Sequence, residues 1–306
     1  MVGKVSGQSP NFTQNGLISL PPMALSKSPT KPSKLMRVEA CCQALFNHLL
    51  PILDPQRQGL CVDVGVGTFA FYCELFAQLG FETVAVEPCP TDKLRAVCQE
   101  YPIKLIEQCL SDRVGTQTLH LGQFANLANS NFSSLAADWF GASANTREVP
   151  TLDLATLLAQ VGAARITAFK LDIEGWEPVV VQQFADLAPD LLPAVVMFEY
   201  GGGSSRAQGA KGWSPKFLEG TMTCLKTLQG RGYSYSIMVD YAAGTEVKLF
   251  DLQTLDLTRE TPFYPNGVYG NILSFYQQRF APEKIGEICA PYGGGLANWL
   301  VSKLVS

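Results

Sequence analysis

Residues 59–80 read GLCVDVGVGTFAFYCELFAQLG, and the pattern changes character half-way. GLCVDVG is a short apolar run, interrupted only by Asp63, that reads as a strand ending in a glycine loop. From Phe69 the spacing is helical until Gly80 stops it. Between the two, Gly65 and Gly67 allow a tight turn and a close backbone approach to a ligand, and the following helix offers its N-terminus. Strand, glycine turn and helix open an alternating α/β unit.

The same alternation continues outward from this stretch. Before it, Leu35, Val38, Cys42, Leu45, Phe46 and Leu49 recur at helical spacing, with Arg37, Glu39 and Asn47 elsewhere. After it, ETVAVEP reads as a second strand, DKLRAVCQEY as a helix and IKLIEQCLS as a third strand. An irregular section then runs to about residue 150, with a short strand at TQTLHL. TLDLATLLAQVG is a helix, ITAFKLDIE a fourth strand and PAVVMFEY a fifth, while YSYSIMV and NILSFYQ suggest a closing antiparallel pair. The expectation is a mostly parallel sheet with helices on both faces.

Residues 1–34 are rich in Ser, Pro, Thr and Lys without periodicity and read as a disordered tail, leaving residues 35–306 as one domain. Residues 199–215, Gly- and Ser-rich around Trp213, read as a loop that covers a substrate, centred on residues 200–215. Near the C-terminus Leu296, Trp299, Leu300 and Leu304 share a helical face. That face suits its own domain or a second subunit, hence a homodimer, better than a membrane.

Composition narrows the function. Of 306 residues 47% are hydrophobic and 16% charged, with 23 Lys and Arg against 27 Asp and Glu, so no basic patch speaks for nucleic acid. No run approaches a membrane span, and GLISL is cut short by Pro21 and Pro22 before it resembles an export signal. Nine cysteines without a C-x-x-C pair, and only two histidines, point to a reducing cytoplasm and to no metal site.

In open α/β sheets, ligands bind outside the carboxyl ends of the strands. There stand Asp63, Gly65, Glu87, Ser111, Asp112, Asp172, Glu174 and Glu199. Glu87, at the end of the second strand, is placed to accept hydrogen bonds from two ribose hydroxyls. This suits NAD and S-adenosylmethionine alike. Asp63 separates them: a fixed carboxylate repels a pyrophosphate and suits a sulfonium and an ammonium. The alternative is that Asp63 only caps the loop by accepting backbone N–H groups. In KLDIEGWE, Lys170, Asp172 and Glu174 alternate onto one strand face, where three charges must pair, solvate or meet a ligand. A pair that merely organises the loop is the other reading.

DVGVGTFAFY, VAVEPCP, CLSD, SSL at Ser133–Leu135, VPTLDLATLL, FKLDIEGWEPVV and VVMFEY resemble, in order, the motif series of the FkbM-type methyltransferases. The resemblance implies a Rossmann-like class I methyltransferase fold. Such a fold has a mostly parallel seven-stranded sheet with an antiparallel terminal strand. It also implies S-adenosyl-L-methionine as cofactor and methylation of a hydroxyl on a small molecule or sugar. Carried over, Asp63, Gly65 and Gly67 surround the donor's methionine part, Glu87 holds its ribose, and Ser111 and Asp112 lie near the adenine. Asp172 and Glu174 stand where methyl meets acceptor; either carboxylate accepts the acceptor's proton, and Lys170 orients it. His120 is a lesser candidate base. The family usually has Ala-Asn after its first glycine, where this chain has Val66, Gly67 and Thr68. Two rivals stay open: a nicotinamide-dependent oxidoreductase, and a non-catalytic descendant that binds a nucleoside or a partner.

Overall fold

The apolar run before the glycines forms β1 (Leu60–Val64), with all of its residues buried. This is a computed structural model, in which residues 37–125, 127–241 and 245–293 are described. The expected tail, residues 1–34, and the apolar face from Leu296 to Leu304 lie outside the described residues.

Ahead of β1 stands α1 (Arg37–Leu53), whose Val38, Cys42, Leu45, Phe46 and Leu49 are buried along one side. Then follow α2 (Phe71–Gln78), β2 (Thr83–Val86), α3 (Asp92–Glu100) and β3 (Ile103–Ile106). The chain continues as β4 (Cys109–Leu110), β5 (Gly115–Phe124), β6 (Leu127–Ala128), β7 (Ala142–Leu152), α4 (Leu154–Val161) and β8 (Ile166–Leu171). It ends with α5 (Glu177–Val181), β9 (Val195–Gly201), α6 (Pro215–Gly230), β10 (Tyr233–Asp240), β11 (Glu246–Asp251), β12 (Tyr269–Tyr276) and α7 (Pro282–Cys289). Side-chain caps fix two of the helix starts: Thr91 accepts the N–H of Leu94 at 3.2 Å and Asp153 that of Thr156 at 2.8 Å.

The main sheet has the order β11-β10-β12-β9-β8-β1-β2-β3. Its β9-β8-β1-β2-β3 part is parallel, and β12 enters antiparallel to both β9 and β10. The sheet is therefore α/β and mixed, with eight strands instead of the expected seven. The extra strand, β11, folds back antiparallel on β10 as an edge, and its residues are only half-buried. A half-buried edge lacks the continuous apolar run that marks the central strands.

Two further expectations are corrected. The strand read through IKLIEQCLS breaks after Ile106, and β4 pairs with β7 instead of continuing β3. The section expected to be irregular forms a second sheet, β4-β7-β5-β6, built on the long antiparallel β5/β7 pair. Of β5 only Leu119 and Gly122 are buried, so its sequence carried almost no apolar period to read.

Alternation along β1 sends Leu60, Val62 and Val64 to one side of the main sheet, where they pack with Leu157 and Leu158 of α4 and Leu225 and Leu228 of α6. Cys61 faces the other way, toward Leu45, Phe46 and Leu49 of α1 and Phe76 of α2. Asp63 shares that second side. Helices thus cover both faces, and the carboxyl ends of β1, β8 and β9 stand side by side, with the amino end of β12 next to the last residue of β9.

Candidate active site

Register explains the buried charges. β1 and β8 pair with Asp63 opposite Lys170, so the two side chains leave the sheet on the same face. Lys170 Nζ lies 3.1 Å from Asp63 Oδ1, donates to the carbonyl of Gly65 at 2.9 Å and stands 3.6 Å from Asp172 Oδ2. Burial disfavours the ammonium, but Asp63 and Asp172 outweigh it and hold Lys170 above the ordinary lysine range. Asp63 Oδ2 also accepts the N–H of Cys73 at 3.0 Å near the start of α2. Its charge is balanced within the fold, and Asp63 is not among the residues that line the cavity above it.

That cavity, of about 640 Å³, opens over the strand ends. Gly65, Gly67, Glu87, Lys170, Asp172 and Glu174 all line it. At Gly65, with φ of +72°, a Cβ would fall 1.8 Å from the carbonyl oxygen of Asp172, so the first glycine is needed where the two strand ends nearly touch. Glu87 Oε2 accepts the N–H of Gly67 and Oε1 that of Cys89, each at 3.0 Å, which fixes the carboxylate against the glycine loop. Burial raises the carboxyl of Glu87 above the ordinary range, while those two N–H groups oppose the rise.

Ser111 and Asp112 do not reach the cavity; Gln108, Cys109 and Leu110 line it at that end. Ser111 is fully buried and its hydroxyl accepts from Trp176 Nε1 at 3.1 Å, while Asp112 is surface-exposed and pairs with Arg113 at 2.9 Å. Trp176 itself lines the cavity. Of the loop after β9, Gly202 and Gly203 line it, whereas Trp213 is buried and donates Nε1–H to Val268 O at 2.8 Å.

β8 ends at Leu171, so strand alternation no longer governs Asp172 and Glu174. The backbone turns with φ of 56° at Glu174 and 88° at Gly175. Side-chain partners hold the turn: Ser134 Oγ donates to Glu174 O at 2.6 Å, and Trp139 Nε1 donates to the Glu174 carboxylate. Both come from the section between β6 and β7, which also gives Asn131, whose Oδ1 accepts Thr68 N–H at 2.9 Å. Asp172, Glu174 and Glu199 each bring a carboxylate oxygen within 4.8 Å of the others. Burial, and then Asp172, push Glu174 and Glu199 well above the ordinary carboxylate range.

Glu39 of α1 was read from the sequence only as a polar position, yet it lines the cavity. Its carboxylate accepts from Tyr72 OH and from Asn271 Nδ2, the latter at 2.8 Å. No linear spacing joins these three; a carboxylate beside the buried stripe of α1 was the one available signal. Neither histidine lines the cavity: His48 is exposed on α1, and His120 Nδ1 faces Ser143 O at 3.3 Å.

Glu177, beneath the turn, accepts the N–H of Ile173 at 2.8 Å, and burial pushes its carboxyl up to about 7. The folded protein holds this proton more tightly than the unfolded chain does. The associated stability is therefore complete below the unfolded pKa and lost as pH rises through about 7. Denaturant unfolding should show Glu177→Gln losing about 2–3 kcal/mol less than wild type between about pH 5 and about pH 8. Equal pH dependence in the two proteins would exclude this account of Glu177.

Residues 60–235 match the methyltransferase FkbM domain. The chain belongs to the FkbM methyltransferase family. As a member of that family it is an S-adenosylmethionine-dependent methyltransferase. Among solved structures, this FkbM-family protein is similar to magnesium protoporphyrin IX methyltransferase (ChlM) from Synechocystis PCC 6803 with bound SAM, at 14% identity and TM-score 0.34, covering 82% of this chain and 87% of that one. It is also similar to the methyltransferase CobJ, at 11% identity and TM-score 0.22, covering 68% and 71%. No curated protein sequence matches it.

The residues present fit the family's donor, for a reason other than the one first read from Asp63. Among the described residues, Glu39, Glu87, Asp172, Glu174 and Glu199 line the cavity, and Lys170 is the one cation that does. Lys170 Nζ is already engaged by the Gly65 carbonyl and by the carboxylates of Asp63 and Asp172. A pyrophosphate would meet carboxylates and no free cation; a sulfonium with an ammonium meets complementary charge.

Proposed function

We propose that this FkbM-family enzyme methylates a hydroxyl oxygen on a small molecule or sugar, with Asp172 as the proton acceptor. The supporting observation is the setting of Asp172: it lines the cavity, its side chain is 32% exposed, and its carboxylate is steered by buried Lys170 from the last turn of the strand ladder. S-adenosylmethionine, when bound, supplies an electrophilic methyl group. Gly65, Gly67 and Glu87 hold its ribose side, and Gln108, Cys109 and Leu110 flank the adenine end. The acceptor oxygen must lie in line behind the methyl carbon, and fixing that geometry provides much of the rate. Asp172 takes the hydroxyl proton as the new C–O bond forms. With no histidine at the cavity, a carboxylate carries this role.

Glu174, anchored by Trp139 and Ser134, forms the wall beside the acceptor, and the rings of Trp139, Phe140 and Trp176 give it apolar surface. Gly202 and Gly203 belong to the loop that covers the acceptor. The free thiol state of all nine cysteines, seven of them buried, supports work in the cytoplasm. Among the described residues no helix is long and apolar enough to cross a membrane.

Labelled methyl transfer from S-adenosylmethionine to a panel of hydroxylated metabolites and sugars tests the reading. Label in an ether product supports it; label only on nitrogen, sulfur or carbon acceptors overturns the oxygen assignment.

A further inference from the structure

Asp63 and Lys170 neutralise one another beneath the glycine loop, so the loop end of the cavity needs another group to meet the positive charge of the donor's amino-acid portion. We propose that Glu39, on the helix ahead of the family-matched region, is the carboxylate that receives the donor's α-ammonium. The inference rests on the donor placement given above.

Strand order sets the direction. Glu87 at the end of β2 marks the ribose, and Gln108 to Leu110 mark the adenine side toward β3. The rest of the donor runs the other way, across β1 toward β8, β9 and β12. Two carboxylates there, Glu174 and Glu39, are held by different parts of the fold. Glu174 is held by Ser134 and Trp139, next to the second sheet. Glu39 comes from the α1 and α2 side, tied to Tyr72, whose ring carries Lys170 Nζ 5.3 Å from its centroid. The methyl and the amino-acid chain diverge from the same sulfur. With the methyl directed at Asp172 and Glu174, the amino-acid chain turns toward Glu39.

The hydrogen-bond inventory agrees. Glu39 accepts from Tyr72 OH and Asn271 Nδ2, which uses two of about four lone-pair sites on a carboxylate. Asn271 Oδ1 is buried and has no donor among the described residues, and Glu199 stands opposite Asn271 in the β9/β12 register. This corner is rich in acceptors and short of N–H groups. An ammonium brings three. Glu39 and Asn271 both lie outside residues 60–235, so the family-matched segment does not contain this contact.

Calorimetric titration decides it with three probes: S-adenosylhomocysteine, its analogue with hydrogen in place of the amino group, and 5′-methylthioadenosine, which lacks the whole amino-acid part. Wild type should bind S-adenosylhomocysteine about 10- to 100-fold more tightly than the deaminated analogue. Glu39→Gln should lose most of that discrimination while 5′-methylthioadenosine binds both proteins alike, which also shows the variant folded. Equal wild-type affinity for the first two probes overturns the proposal without need of any variant. So does discrimination that survives in Glu39→Gln. A wild type that binds S-adenosylhomocysteine but keeps its preference in the variant refutes Glu39 alone, whereas one that binds none of the three refutes the donor site itself.

Discussion

Asp172→Asn should lower kcat for methyl transfer by about 10²- to 10⁴-fold, the usual contribution of a positioned proton acceptor, while changing S-adenosylhomocysteine affinity only a few-fold. The substitution keeps the shape of the side chain. Lys170 retains Asp63 at 3.1 Å and the Gly65 carbonyl at 2.9 Å, so the buried pair below the loop survives. The backbone of Asp172, whose N–H bonds to Val64 O at 3.1 Å, is unaffected by the exchange. Full turnover by Asp172→Asn on the true acceptor would remove it from the mechanism, and a parallel collapse of ligand affinity would make it a donor-binding residue instead.

Glu87→Ala should act on the other side of the reaction, weakening S-adenosylhomocysteine by about 100-fold or more. Two losses combine. The ribose hydroxyls lose a charged acceptor, a hydrogen bond of about 1.5–3 kcal/mol. The N–H groups of Gly67 and Cys89 lose the oxygens that hold the loop, each at 3.0 Å. Glu87→Gln separates these, because its amide oxygen can still serve one N–H group. Its affinity should fall between those of wild type and Glu87→Ala. Unchanged affinity in Glu87→Ala would mean that the ribose lies elsewhere.

Much of the centre of the molecule was legible in the sequence, for a physical reason. Strands buried on both faces, such as β1 and β8, must be apolar throughout, so a charge in them signals a role; Asp63 and Lys170 were visible for that reason. Their mutual pairing was not, because register between two strands separated by a hundred residues is a tertiary fact. The flanks were harder. β5 and β11 have few fully buried positions and little period, and Asn131 and Trp139 reach the cavity, while Ser134 braces the Glu174 turn, from a section with no helical or strand pattern. Asp172 and Glu174 were found for an incomplete reason: they line the cavity, but beyond Leu171 it is the turn at Glu174 and Gly175, with Trp139 and Ser134, that places them.

The late insertion of β12 between β9 and β10 bears on how small a working version of this enzyme can be. Residues 60–235 carry the family pattern, but a fragment cut to those limits would keep β9 and lose the strand that covers its edge. It would expose a row of unpaired backbone groups as a template for self-association. The same cut removes the first helix, with its apolar side against the sheet. The minimal folding unit is therefore larger than the minimal recognisable one. α1 and β12, which flank residues 60–235 in the sequence, contribute to a wall that the middle cannot close alone.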